Sequence, residues 1–259
     1  MYHVELVMGP EGWTFSGAGD PLYGFTKIKQ LYEKADPSYV GRYTVPVLWD
    51  KKTETMVNNE SADIIRIFYT AFDDLLPVHL REENRPGGGF YPDALRKDID
   101  EMNEWVYATV NNGVYKTGLA TTQEAYDANV HPLFESLDRL EGVLSDGRKY
   151  LFGEHITEAD IRLYTTLARF DAAYHPVFLC NLKSIRGDYP RLYLWLRRLY
   201  WDREGNGEAR GAFYESTEPY LRFYGKGYAT ARHGVVFKGA GPLIIPAGPS
   251  VVIEPLPTP

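Results

Sequence analysis

Cysteine is nearly missing from this chain: Cys180 is the only one in 259 residues. A single thiol excludes an internal disulfide and any Cys-x-x-Cys motif. It fits a reducing compartment, and the protein is expected in the cytoplasm. The histidines His3, His79, His131, His155, His175 and His233 are scattered. None forms a His-Glu-x-x-His pair, so no metal is expected. There is no Walker loop and no Gly-x-Gly-x-x-Gly; the glycines at 87–89 read as linker. No serine, histidine and aspartate stand in an order that suggests a hydrolytic triad. Cations are in deficit, 28 Lys and Arg against 35 Asp and Glu, for a net charge of −7, which argues against a nucleic-acid partner. No apolar run approaches the roughly 20 residues that span a bilayer, so no membrane is expected. The first residues have neither the basic region nor the apolar region of a signal peptide. Aromatic residues are plentiful, with 20 Tyr and 5 Trp. They suit flat aromatic ligands as well as an aromatic core.

The chain is organised around residues 44–61, TVPVLWDKKTETMVNNES. Residues 44–49 read as a buried strand, β-branched and aromatic on both faces. Pro46 inside it points to an edge or a bend. Asp50-Lys51-Lys52 is a polar turn, and Met56-Val57 returns as a second strand. Asn58 to Ser61 supply capping residues for a helix with Ile64, Ile67, Phe68 and Ala71 on one face. Such a unit suits a small zwitterion. Val45 offers its backbone N–H and C=O, Ser61 and the first free N–H groups of the helix offer an anion site, and Glu60 can take an ammonium.

Val-Pro, a short strand and Glu-Ser opening a helix resemble the glutathione site of the glutathione transferase superfamily. The strings VPVLWD and VNNES resemble one branch, the glutathionyl-hydroquinone reductases, also called Xi-class or omega-like transferases. So do GWTF at 12–15, DPLYGF at 20–25, NNGVYKTGLA at 111–120, TEADIRLYTTLARFD at 157–171, CNLKSIR at 180–186 and YPRLYLWLRRLYW at 189–201. The resemblance covers most of residues 1–225. It implies an α/β thioredoxin-like N-terminal domain, truncated, followed by an all-α glutathione-transferase C-terminal domain. The boundaries are residues 1–72 for the partial thioredoxin-like domain, 73–92 for a linker, 93–225 for the helical domain and 226–259 for an extended Gly/Pro-rich tail. The family's first strand and helix carry a Cys-Pro-Trp-Ala motif whose cysteine is the nucleophile. That motif has no counterpart here, so the nucleophile is expected upstream of Met1 and the chain is expected to be a truncated gene model or isoform. Residues 2–7 then correspond to the family's second strand. Losing a strand from inside the sheet leaves backbone unpaired on both neighbours, and the domain is expected to be poorly stable.

The resemblance also implies a site. Glutathione, as co-substrate, is contacted by Trp13, Arg42, Val45, Pro46, Glu60 and Ser61. Tyr115 and Tyr164, with Tyr174 as a third, face an aromatic or quinol conjugate. The implied reaction is reductive removal of glutathione from a glutathionyl-hydroquinone through a protein–glutathione mixed disulfide, in a homodimer joined by the helical domain. The alternatives are a non-catalytic relative that binds glutathione conjugates or aromatics, and a structural partner. Cys180, after Phe178-Leu179, reads as buried.

The remaining patterning predicts further elements. Residues 21–35 read as a helix. Leu95, Ile99, Met102, Val106 and Val110 repeat at helical spacing. Thr121 with Glu124 reads as a capping box, opening a helix that Pro132 kinks or divides. Thr157 with Asp160 reads as a second box, which makes Asp160 structural. Tyr189-Pro190 opens a helix with proline at its first position; Arg191, Arg197, Arg198 and Arg203 form its solvated face. From residue 205 the chain reads as irregular, and its terminal prolines predict extended structure.

Overall fold

The computed structural model describes residues 2–5, 8–203, 208–237 and 252–256. The chain divides into two compact units, residues 1–82 and 83–259.

The first unit opens with loops. Val4 bridges Phe15 and Thr14 bridges Lys27 as isolated pairs. Residues 2–5 therefore give a single bridge where a strand was expected, and residues 6 and 7 of that expected strand lie outside the described residues. The helix expected from residue 21 begins only at Ile28. Asp20, 3% exposed, explains the delay. Its carboxylate accepts the N–H groups of Leu22 (2.9 Å) and Phe25 (2.9 Å), which folds the chain into a turn instead. Gly24 completes the turn at φ +70°, a conformation that favours glycine. Helix α1 (Ile28–Ala35) then buries Ile28, Leu31 and Tyr32. Strand β1 (Leu48–Asp50) pairs antiparallel with β2 (Thr55–Asn58), with Trp49 opposite Met56. The expected strand thus shrinks to its last residues, because Thr44 gives its backbone to a tyrosine hydroxyl instead of a ladder. Helix α2 (Ser61–Thr70) follows. Of its expected stripe Ile64 is buried, while Phe68 is 52% exposed.

Residues 73–92, expected as the linker, have local structure of their own. They wind through short 3-10 turns at Asp73–Leu75, Val78–Leu80, Glu82–Asn84 and Pro86–Gly88. Gly87 sits at φ +73° against His155, where a Cβ would come within 2.8 Å of the imidazole. The Phe90 carbonyl accepts the Glu158 N–H at 2.7 Å.

The second unit is helical. Helix α3 (Arg96–Val106) runs into a π-type turn, Tyr107–Asn111, and α4 (Gly113–Gly118) follows. Helix α5 (Gln123–Val143) is continuous through Pro132, so proline does not divide it. Its cap is Thr122, whose hydroxyl accepts the Ala125 N–H, and not the expected pair of Thr121 and Glu124. Helix α6 (Glu158–Arg169) leads into a second π-type turn, Phe170–Tyr174. The short α7 (His175–Val177) and α8 (Ile185–Asp188) precede α9 (Pro190–Trp201), which starts on its proline. Asp160 binds the core together. Its carboxylate accepts the Leu151 N–H (2.9 Å), the Thr157 N–H (2.9 Å) and the Trp195 indole N–H (2.8 Å).

Beyond residue 205 the structure differs from the sequence reading. Helices α10 (Ala212–Thr217) and α11 (Leu221–Arg232) occupy part of the stretch expected to be irregular, and a π-type turn reaches Phe237. Leu221 and Ala229 are buried, so packing against the core holds α11 in place. The expected extended tail therefore starts later than residue 226, and its residues 238–251 and 257–259 lie outside the described residues. Residues 252–256 form neither helix nor strand and are fastened to α9: the Glu254 carbonyl accepts from Arg197 Nε and Trp201 Nε1, both at 2.9 Å. Arg197 and Arg198, expected on a solvated face, are half-buried because their guanidinium groups bond carbonyl oxygens.

Candidate functional site

In the α/β unit the candidate residues are arranged by one buried hydroxyl. Tyr32 is 0% exposed. Its hydroxyl donates to the Thr44 carbonyl (2.9 Å) and accepts from the Thr44 N–H (3.2 Å) and from Asn59 Nδ2 (3.0 Å). Segments 44–46 and 59–61 are therefore held beside each other. The Val45–Pro46 peptide is cis. Glu60 caps α2, its carboxylate accepting the Ala62 N–H at 3.4 Å while its own N–H donates to Asn58 Oδ1 at 2.6 Å. Ser61 is exposed at the first position of α2. The result is a helix N-terminus with an acid at its cap, the kinds of group that attract an anion and a cation. Arg42 is exposed and makes no ion pair among the described residues; its carbonyl accepts from the Tyr39 hydroxyl. Trp13 and Val45 pack half-buried on the cluster of Phe15, Ile28, Leu31 and Tyr32. The Trp13 carbonyl accepts the Ile28 N–H. The Trp13 backbone thus ties the glycine-rich loop to the start of α1.

In the helical unit three tyrosine hydroxyls meet. Tyr115 of α4 lies 3.2 Å from Tyr174 and 3.0 Å from Tyr228 of α11, and Tyr174 donates to Tyr228 at 2.9 Å. Phe178 packs against all three rings. It approaches because position 118 is glycine: a Cβ there would sit 2.1 Å from Phe178 Cγ. Burial pushes the Tyr115 and Tyr174 hydroxyls above their ordinary range, so both stay protonated and can donate. Sequence reasoning missed Tyr228, because it falls in the stretch read as tail. Its signal was the spacing of Leu221, Tyr224 and Tyr228, which is helical.

Tyr164 is not part of this group. Its hydroxyl donates to the Phe213 carbonyl at 3.2 Å and lies 3.0 Å from Thr217 Oγ1. It lines a separate cavity of about 580 Å³ within the helical unit, together with Phe90, Phe213, Tyr224, Arg85 and Arg169. Cys180 is fully buried near the Val114 and Phe178 carbonyls. Burial pushes its thiol up, away from the thiolate form. Among the described residues no group of three or more His, Cys, Asp or Glu side chains is placed to hold a metal.

Residues 123–198 match the family described as Glutathione S-transferase, C-terminal domain. The omega-like glutathione S-transferase 2 of Schizosaccharomyces pombe is 49% identical over 220 residues, which cover 83% of this chain and 67% of that protein. The glutathionyl-hydroquinone reductase YqjG of Escherichia coli is 53% identical over 202 residues, covering 76% of this chain and 58% of its own length. Among solved structures, a Xi glutathione transferase from Saccharomyces cerevisiae in complex with glutathione superposes with a TM-score of 0.82. It is 36% identical and covers 98% of this chain and 85% of that one. The α/β unit and the helical unit are therefore those of the glutathione transferase fold, thioredoxin-like domain first. The chain belongs to the glutathione transferase superfamily, in the branch of Xi and omega-like transferases and glutathionyl-hydroquinone reductases, whose members are enzymes. It spans about two thirds or less of the length of the two sequence relatives.

Proposed function

We propose that this protein is a glutathione-dependent reductase of glutathionyl-hydroquinones. The observation that carries the reading is the Tyr32 hydroxyl, which holds Thr44 and Asn59 together. It sets the backbone of Val45, beside Pro46, next to Glu60 and Ser61. The Val45 backbone pairs with the glutathione peptide, Glu60 takes its ammonium, and Ser61 with the α2 N-terminus takes a carboxylate. Arg42 takes the other carboxylate and Trp13 shields the ligand. Tyr115 and Tyr174 donate hydrogen bonds to the quinol oxygens. The protein works in the cytoplasm as a homodimer joined through its helical unit, and needs no metal.

In the reaction a thiolate attacks the glutathionyl sulfur. A sulfur–sulfur bond forms, the aryl carbon–sulfur bond breaks, and the carbon takes a proton. A second glutathione then resolves the mixed disulfide, so conjugate plus glutathione gives hydroquinone plus glutathione disulfide. Cys180 does not supply the thiolate, since it is buried and held as a thiol. Its burial favours a second reading, in which residues 1–259 bind glutathione conjugates without turning them over.

One experiment separates the readings. The protein is incubated with a glutathionyl-hydroquinone and glutathione, and both products are quantified. Hydroquinone and glutathione disulfide appearing in equal amounts support the reductase. Saturable conjugate binding without product leaves the binding reading, and absence of binding overturns both. Glu60→Gln, which keeps a capping oxygen, is expected to weaken glutathione binding by roughly tenfold or more, the scale of a charge-assisted hydrogen bond.

A further inference from the structure

Two arginines border the cavity of the helical unit, and among the described residues no acid pairs with either of them. Arg169, at the end of α6, lies over the Tyr224 ring at 4.8 Å and donates to the Tyr228 hydroxyl at 3.5 Å. Arg85 lies over the Phe90 ring at 4.2 Å. Neither forms an ion pair among the described residues. The acid in the cavity wall, Glu208, is already engaged: it accepts the Ile156 N–H at 2.9 Å and lies 2.7 Å from His155 Nδ1. The other walls are mainly aromatic and apolar, with Tyr164 and Phe213 packed at 4.4 Å between ring centroids and their planes inclined at 58°.

A guanidinium turned toward apolar surface without a counter-charge is unfavourable, and buried cations are as a rule paired. Aromatic faces compensate in part. A carboxylate compensates better, because it matches the planar donor fork of arginine in two hydrogen bonds. A volume of about 580 Å³ lies in the ordinary range for small-molecule sites. The aromatic walls select a flat ring and the guanidinium groups select its acid group.

We propose that this cavity binds aromatic carboxylates, with the ring against Tyr164 and Phe213, the acid group on Arg169, and Arg85 as a second cation at the wall. The site is distinct from the hydroxyls of Tyr115 and Tyr174, which do not line it, and it does not depend on the glutathione reading. It gives Tyr164 a different role from the one its sequence motif implies: a wall for a second ligand.

The test is calorimetric titration of the whole protein with 2-naphthoate and with its neutral isostere 2-naphthamide. The acid is expected to bind roughly ten- to a hundredfold more tightly than the amide, the scale of charge-assisted hydrogen bonds. Arg169→Gln is expected to abolish that preference, Arg169→Lys to keep part of it, and Arg85→Gln to reduce it. Helical circular dichroism and the melting temperature, measured on the same samples, are expected to match the wild type in all three variants, which reports that they are folded. Equal affinity for acid and amide, absence of naphthoate binding, or a preference that survives both Arg169→Gln and Arg85→Gln overturns the proposal.

Discussion

In the α/β unit the buried apolar cluster consists of Phe15, Ile28, Leu31 and Tyr32, whereas in the helical unit it extends from Val106 to Ile253 through nearly every helix. The smaller unit makes up the difference with polar side chains that fold loops. Asp20 gathers the backbone N–H groups of Leu22, Tyr23 and Phe25, Tyr32 joins segments 44 and 59, and Asp50 closes the turn between the strands by accepting from Lys52 and Thr53. In the larger unit the buried polar groups join helices that packing has already placed, as Asp160 joins α6 to α9 through Trp195. The same kind of bond therefore shapes the backbone in one unit and locks it in the other. Ligand-facing loops belong with the first arrangement, since irregular backbone must satisfy its N–H and C=O groups by other means.

Breaking the helical core gives the largest expected effect. Trp195 is 1% exposed, and Trp195→Ala is expected to destabilise the protein by about 3–5 kcal/mol, because it opens a cavity and withdraws a donor from buried Asp160. Guanidinium denaturation followed by helical circular dichroism measures it, and a loss below about 1 kcal/mol would contradict the importance given to this packing. Tyr32→Phe tests the other unit. The ring stays and only the hydroxyl is lost, leaving Thr44 and Asn59 without their shared partner, at a cost of about 1–3 kcal/mol. Here the position of the change matters more than its size. Hydrogen exchange is expected to quicken in residues 44–46 and 59–62 and to stay unchanged in α5 and α6. Uniform acceleration would mean that Tyr32 contributes only to bulk packing.

This contrast explains what the sequence made legible. Capping signals placed the starts of α5, α6 and α9, and helical periodicity carried α5 onward, because it buries a continuous stripe of Val130, Leu133, Leu137 and Leu140. The signal placed the cap of α5 one residue early, since adjacent threonines at 121 and 122 offer the same hydroxyl. The helix does not stop at Pro132, which the surrounding buried residues hold within it. In the α/β unit, propensity extended the first strand back to residue 44, because nothing local reveals that Tyr32, twelve positions earlier, captures Thr44. Residues Val45, Pro46, Glu60 and Ser61 were legible as a group through their short motif, and the fold brings them together. Tyr115 and Tyr174 were legible singly, while their meeting with Tyr228 depends on a helix concealed by glycines at 225 and 227. The cavity with Arg85 and Arg169 had no sequence signal, as its two cations lie 84 positions apart in chain order.

The smallest expected effect lies on the surface of the larger unit, in an exposed polar contact that locks no helices together. Asp146 follows α5 and binds Arg148, whose Nε lies 2.9 Å from both carboxylate oxygens. The side-chain hydrogen bonds from Arg148, aided by its N–H, hold the Asp146 carboxyl down from the ordinary 3.8 to about 2. A carboxyl with a lowered folded-state pKa stabilises the protein above its unfolded value and loses that contribution as pH falls through the folded one. The wild type should therefore exceed Asp146→Asn slightly in stability at pH 6. The gap should narrow below about pH 4 and be nearly closed by pH 2. Because the pair is exposed, salt should shrink the gap at pH 6 as well. Thermal melts of both proteins at the two pH values read the result. A gap that persists at pH 2 would show that Asp146 acts through the shape of its turn, as the aspartates of the α/β unit do, and would weaken the distinction between the two units.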